Sequence, residues 1–179
     1  MTVPNAITIL RILLVPPFMI YLLRGQYGGA LAIFILAAIS DFVDGYVARR
    51  FKQRTSLGAF MDPLADKLLA GTAFVLLAVQ QIIPDWLAVV VISREFVIVG
   101  GLSLLSILGA DIRISPSRTG KVNTAVQLTT ICLCLLVHAE SLSLPPFFHD
   151  RLEVLYLITG ATTVVSGFQY LRQGLRMAP

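Results

Sequence analysis

The sequence predicts an all-α integral membrane protein, a bundle of six transmembrane helices folded as a single domain over residues 1–179. Three observations predict it. Of the 179 residues, 56% are hydrophobic and only 13% charged, well below the roughly one quarter charged that soluble domains carry. Apolar runs close to the ~20 residues needed to cross hydrocarbon recur from end to end, with no separate polar half. The basic residues collect in alternate loops, as chains threaded repeatedly through a membrane arrange them.

The first run spans roughly Ile7 to Leu23 and contains Pro16 and Pro17. Prolines interrupt helix hydrogen bonding but are better tolerated in membrane helices than in water. This N-terminal segment lacks both a basic start and a small-residue cleavage site, so it reads as a retained helix and not as a signal peptide. The second run spans about Leu31 to Ala48 and the third about Leu57 to Val79. The fourth, about Trp86 to Leu108, follows a Pro84-Asp85 start signal. The fifth spans about Gly120 to Val137 and the sixth about Leu152 to Tyr170.

Charge then orients the bundle. Arg49, Arg50, Lys52 and Arg54 follow the second run. Arg113, Arg118 and Lys121 lie between the fourth and fifth, and Arg172 and Arg176 follow the sixth. The alternate loops are poor in basic residues. The positive-inside rule puts both termini in the cytoplasm, and the expected location is a bacterial cytoplasmic membrane crossed several times. The net charge of +4 reports topology and anionic headgroups; no continuous basic surface with interleaved aromatics suggests a nucleic acid. Cys132 and Cys134 are two apart on one predicted helix and face different ways, which excludes a disulfide between them. His138 and His149 fall near the face opposite the basic loops and read as solvated or hydrogen-bonded side chains.

The informative feature is acidic. Asp41, Asp44, Asp62 and Asp66 occur in DFVDGYVARRFKQRTSLGAFMDPLADK, between otherwise apolar stretches. Ionised carboxylates in a membrane are expensive and mark functional sites. Four close together would repel one another, and a shared cation removes that repulsion. Spacings of three and four put each pair on one helix face, and the Arg49–Ser56 stretch is the polar turn returning the second pair antiparallel to the first. Hard oxygen ligands without histidine or thiolate favour Mg²⁺ or Mn²⁺ over zinc. Such a site suits phosphoryl chemistry. Gly45, Ala48 and Gly58 leave bare backbone for a bulky phosphate or nucleotide, and Arg49 offers a forked donor to its oxygens.

The pattern Asp41-x-x-Asp44-Gly45-x-x-Ala48-Arg49, eight residues, Gly58, three residues, Asp62, three residues, Asp66 resembles the signature of the CDP-alcohol phosphotransferase family throughout. The likeness extends from Pro4-Asn5, Thr8 and Arg11 to Lys121 and the last helix. It implies a six-helix membrane enzyme, commonly a homodimer, that transfers a phosphatidyl or similar group from a CDP-linked donor to an alcohol and releases CMP. It further implies two divalent ions on Asp41, Asp44 and Asp62, with Asp66 contributing and acting as general base. Gly45, Ala48, Arg49 and Gly58 match positions that line the cytidine nucleotide pocket.

Two branches of the family look closest: CMP-forming cardiolipin synthases, whose acceptor is phosphatidylglycerol, and phosphatidylglycerophosphate synthases, whose acceptor is glycerol 3-phosphate. The second branch typically places an arginine where Leu102 stands and a lysine where Asn123 stands. A phosphomonoester carries nearly two negative charges and wants such donors; a diester carries one. The run Lys121–Leu128 also looks like cardiolipin synthases. The expected reaction is therefore phosphatidyl transfer from CDP-diacylglycerol to phosphatidylglycerol, with glycerol 3-phosphate as the alternative acceptor. Arg94, Glu95, Arg113, Arg118, Lys121 and Asn123 are the candidate contacts to acceptor or lipid phosphate, Glu95 serving either as an ion-pair partner of Arg94 or as a direct contact. A different class, an ion-coupled transporter using the aspartates as its path, would not need Gly45, Ala48 and Gly58 beside an arginine.

Overall fold

The computed structural model describes the backbone at residues 3–51, 56–107, 118–139 and 147–177, and side chains at 9–40, 67–101, 119–139 and 151–174. Every regular element there is helical: α1 Val3–Leu23, α2 Tyr27–Phe51, α3 Ser56–Val79, α4 Asp85–Ile107, α5 Arg118–His138 and α6 Phe147–Met177. Several helices outrun their apolar stretches, α1 by starting at Val3 ahead of the expected Ile7. α2 begins at Tyr27, ahead of the expected Leu31, because Gly28 and Gly29 weaken the signal without breaking the helix. α6 continues to Met177, past Tyr170, since polar residues prolong a helix beyond an apolar layer without marking its end.

The turns after α1 and α3 are built alike. α1 closes on Gly25 at φ 69°, with Gly25 N–H donating to Leu22 O and Gln26 N–H to Tyr21 O, both at 2.9 Å. This paired 5→2 and 6→1 pattern satisfies carbonyls at a helix end. α3 repeats it with Gln81 at φ 58°, whose N–H reaches Ala78 O at 2.8 Å while Ile82 N–H reaches Leu77 O at 2.9 Å. The Gln80 side-chain amide donates to Leu22 O, fastening the two helix ends together.

α1 packs against both α2 and α3; α4 and α5 each pack on α6; α5 also reaches α2 and α3. The dense core gathers at the end of the bundle where α1 and α3 terminate. Phe18, Leu22, Phe34, Phe74, Leu77, Leu87, Ile131 and Leu135 are fully buried there, and the Phe18 and Phe34 rings meet at 5.9 Å. The outward faces are apolar as well: Leu13, Val89, Leu157, Phe168 and Phe96 are 63% to 73% exposed.

Two described stretches, Thr119–His138 and Arg151–Gly174, have the length and hydropathy to cross a membrane, while Ile9–Leu23, Tyr27–Ser40 and Lys67–Val79 are shorter apolar stretches. That is two where the sequence reading expects six. The side chains of α4 are described only as far as residue 101, and Arg94 and Glu95 stand in its middle.

α5 and α6 are joined by polar contacts. Thr130 and Thr159 hydroxyls meet at 2.7 Å, and Gln127 Nε2 donates to Thr163 Oγ1 at 3.2 Å. Thr163 Oγ1 in turn donates to Asn123 Oδ1 at 2.9 Å. Thr119 pairs with Gln169, and Tyr156 donates to Ile82 O at 3.0 Å beside the Cys134 thiol. Both cysteines are free thiols, as their spacing requires. His138 makes a 2.9 Å hydrogen bond to Cys134 O and lies edge-on to Tyr27.

Candidate active site

Among the described residues, the core gives way toward the other end of the bundle to a cavity. Among the described residues α2 and α3 do not touch, and a cavity of about 320 Å³ lies between them. α2 lines it with Phe34, Ala37 and Ala38, and α3 with Lys67, Leu69, Ala70 and Gly71. α1, α4 and α5 close it with Arg11, Arg94, Glu95, Thr124 and Gln127. Ala37 and Ala38 stand four and three residues before Asp41, and Ala70 stands four after Asp66. The acidic pairs therefore belong to the two helices that flank this cavity, one turn along each. Where their side chains are described, α1 and α5 each pack on both helices and leave room between them for a ligand; the facing of the two acidic pairs lies outside the described residues.

The cavity walls are cationic. Arg11 is 1% exposed, so its charge is held inside the bundle. Lys67 and Arg94 converge on one carboxylate: Lys67 Nζ stands 3.1 Å from Glu95 Oε2, and Arg94 Nη1 bonds Glu95 Oε1. Glu95 thus ties α3, at the residue next to Asp66, to α4. Of its two expected roles, the structure displays the ion pair. Arg94 also donates from Nη2 to Ser166 Oγ on α6 at 3.1 Å and stacks over the Tyr170 ring at 5.7 Å. A second cavity, of about 400 Å³, shares Lys67, Arg94 and Thr124 with the first and adds Lys121, Gly120, Ile98 and Tyr170.

Of the residues singled out in the sequence, the structure brings Arg94, Glu95 and Lys121 to these cavities. Asn123 lies elsewhere. It is fully buried and turned toward α6, where Thr163 holds its carbonyl oxygen, so it is not a wall of either cavity. The rotation of α5 decides this, and linear spacing from Lys121 does not reveal it. The side chains of Asp41, Asp44, Asp62, Asp66, Gly45, Ala48, Arg49, Gly58, Leu102 and Arg118, and the whole of Arg113, lie outside the described residues. Among the described residues no three His, Cys, Asp or Glu side chains cluster. Sequence reasoning passed over Ser166, Tyr170, Thr124 and Gln127; a hydroxyl, a ring and two uncharged polar groups inside apolar runs give no spacing signal.

Comparison with known proteins decides the class of chemistry. The family model for CDP-alcohol phosphatidyltransferases matches residues 1–166. The chain belongs to that family. The transferase is 40% identical to the CDP-diacylglycerol–glycerol-3-phosphate 3-phosphatidyltransferase of Pseudomonas fluorescens, covering 96% of this chain and 89% of that one. It is 35% identical to the protein of the same name from Bacillus subtilis (strain 168), covering 93% and 92%. It is also 32% identical to the human CMP-forming cardiolipin synthase, covering 97% of this chain and 62% of that longer protein. The transporter alternative gives way to these matches: the protein is an enzyme of phospholipid synthesis, an all-helical CDP-alcohol phosphatidyltransferase.

Proposed function

We propose that this transferase moves the phosphatidyl group of CDP-diacylglycerol to a hydroxyl of phosphatidylglycerol, giving cardiolipin and CMP. The observation that carries the reading is the cationic cavity between the two helices bearing the acidic pairs. Its described polar wall carries the basic side chains Arg11, Lys67 and Arg94. Arginine and lysine at a cavity wall suit an anion, and the apolar flank of Phe34, Ala37, Leu69 and Val91 is suited to the lipid part of an acceptor. Position 123 adds no charge, because Asn123 is neutral and engaged with Thr163.

In the proposed reaction Asp66 accepts the proton of the acceptor hydroxyl, and that oxygen attacks the lipid-bearing phosphorus of the donor. The phosphorus–oxygen bond to the cytidine monophosphate breaks, and CMP leaves. Arg49 holds the nucleotide's phosphate, and Gly45, Ala48 and Gly58 leave space for the nucleotide. Arg94 and Lys121, with Arg113 and Arg118, meet the acceptor or lipid phosphate. Asp41, Asp44, Asp62 and Asp66 would hold divalent ions. Four carboxylates form a hard-oxygen donor set matching Mg²⁺ or Mn²⁺, while the described cavity walls are net cationic and offer no competing site. When bound, such ions supply neutralisation of the pyrophosphate charge. The protein's own contribution is mostly positioning and fixed electrostatics.

We further propose one domain over residues 1–179, six membrane crossings, both termini and the active site at the cytoplasmic side of a bacterial inner membrane, and a homodimer. The exposed apolar faces of α1, α4 and α6 and the alternation of basic loops support the topology. Glycerol 3-phosphate is the second reading of the acceptor, favoured by the names of the Bacillus and Pseudomonas relatives. Purified enzyme given CDP-diacylglycerol and each acceptor separately tests both: cardiolipin on thin-layer plates supports the first, and phosphatidylglycerophosphate replaces it with the second.

A further inference from the structure

Arg94 is held more completely than a headgroup contact at a membrane surface would be. Its side chain is 9% exposed and forms wall to both cavities. α6 grips it from one side. Ser166 accepts from Nη2 at 3.1 Å, and the Tyr170 ring lies 5.7 Å from the guanidinium carbon. Between them Gly167 lies beside the stem, where a methyl group would meet Arg94 Cγ in an ordinary contact at 3.5 Å. Ser166 and Tyr170 are four apart and share one face of α6. Glu95 fixes Nη1 from Arg94's own helix. The third nitrogen, Nε, is buried without a hydrogen-bond partner among the described residues. Buried guanidinium donors are rarely left so, and one at a wall common to two cavities is a donor kept for a ligand.

We propose that Ser166 and Tyr170 are positioning residues that orient Arg94 toward the phosphate of the acceptor. They act through Arg94: they hold the guanidinium in one rotamer, so that its fork meets an anion already aligned. An arginine so held loses less freedom for each contact it forms. The inference rests on the assignment of Arg94 to the acceptor phosphate, and its test separates the two.

The test is steady-state kinetics of the full-length enzyme in mixed micelles with CDP-diacylglycerol, run in parallel with phosphatidylglycerol and with glycerol 3-phosphate. Ser166→Ala and Tyr170→Leu should each raise KM for the acceptor that is used by about fivefold, the worth of one hydrogen bond or cation–ring contact. Turnover and KM for CDP-diacylglycerol should stay within about twofold, since uniform binding alone is lost. Ser166→Thr keeps the hydroxyl and Tyr170→Phe keeps the ring, so both should return acceptor KM to the parent value. Arg94→Ala is the reference: if it leaves acceptor KM unchanged, the assignment of Arg94 fails and the positioning role fails with it. If Arg94→Ala raises acceptor KM but Ser166→Ala and Tyr170→Leu do not, the assignment stands and the positioning role is overturned. A rise in both KM values together, or no rescue by Thr and Phe, means that α6 merely packs here, which also overturns it.

Discussion

Replacing Glu95 with glutamine keeps its shape and removes its charge, leaving Lys67 and Arg94 facing each other without a counter-ion. Lys67 stands 3.1 Å from Glu95, where an effective dielectric of ~20 gives a gross attraction of about 5 kcal/mol. Exposures of 35% for Lys67 and 21% for Glu95 mean that water screens much of this, as it does for surface pairs. Arg94 is screened less, at 9%. Removing one partner of a fully buried pair costs about 3–5 kcal/mol, and the partial exposure lowers the expectation for Glu95→Gln to about 2 kcal/mol. The double variant Glu95→Gln/Lys67→Met should recover part of that loss, because it removes the Lys67 charge and its repulsion of Arg94, while Arg94 still lacks its carboxylate. Denaturant titration in detergent micelles, followed by tryptophan fluorescence at Trp86, measures both. A loss under about 0.5 kcal/mol, or no recovery in the double variant, refutes the claim that Glu95 holds α3 to α4 by charge.

Asp66→Asn should abolish CMP release while leaving the denaturation midpoint unchanged, because it removes the proposed base and little else; retained turnover counts against that role. Gly160→Ala would place its methyl carbon 2.6 Å and 3.0 Å from two carbons of the Trp86 ring, so the midpoint should fall by about 1–3 kcal/mol. Trp86→Leu in the same chain should relieve it, read by far-ultraviolet circular dichroism because Trp86 is the single tryptophan, and no relief would assign the loss to another cause. Gln81 holds φ 58°, which favours glycine, so Gln81→Gly should stabilise. The side-chain bond from Gln81 to Ala78 O at 3.2 Å is lost in exchange, leaving a net gain of about 0.5 kcal/mol in the same titration.

How much of this was legible beforehand depends on what each feature needs. Apolar run length located all six helices, because apolar character is a property of composition along the chain. Their ends were less legible: Gly28-Gly29 masked the start of α2, and the polar tail Gln169–Met177 concealed the continuation of α6. The acidic motif was readable from spacing, since three- and four-residue intervals carry geometry by themselves. What faces a given side chain from another helix is set by rotation and tilt, which spacing does not contain. Asn123 was grouped with Lys121, two residues earlier, yet it turns to Thr163 on α6 while Lys121 lines the second cavity. Likewise the pairing of Lys67 with Glu95 joins residues 28 positions apart in sequence, and the grip of Ser166 on Arg94 spans 72.

The polar seam between α5 and α6 bears on how the chain is built in the cell. Thr130 and Thr159 each bond a carbonyl of their own helix and travel with it at little cost. Asn123 and Gln127 have no such local refuge: the bonds they make are to Thr163 across the seam. Carried alone into hydrocarbon, α5 would bring two uncompensated amides with it. In the proposed membrane topology, insertion of α5 as a hairpin with α6 lets Thr163 meet both amides as they leave water, and truncation before α6 would leave them unmet.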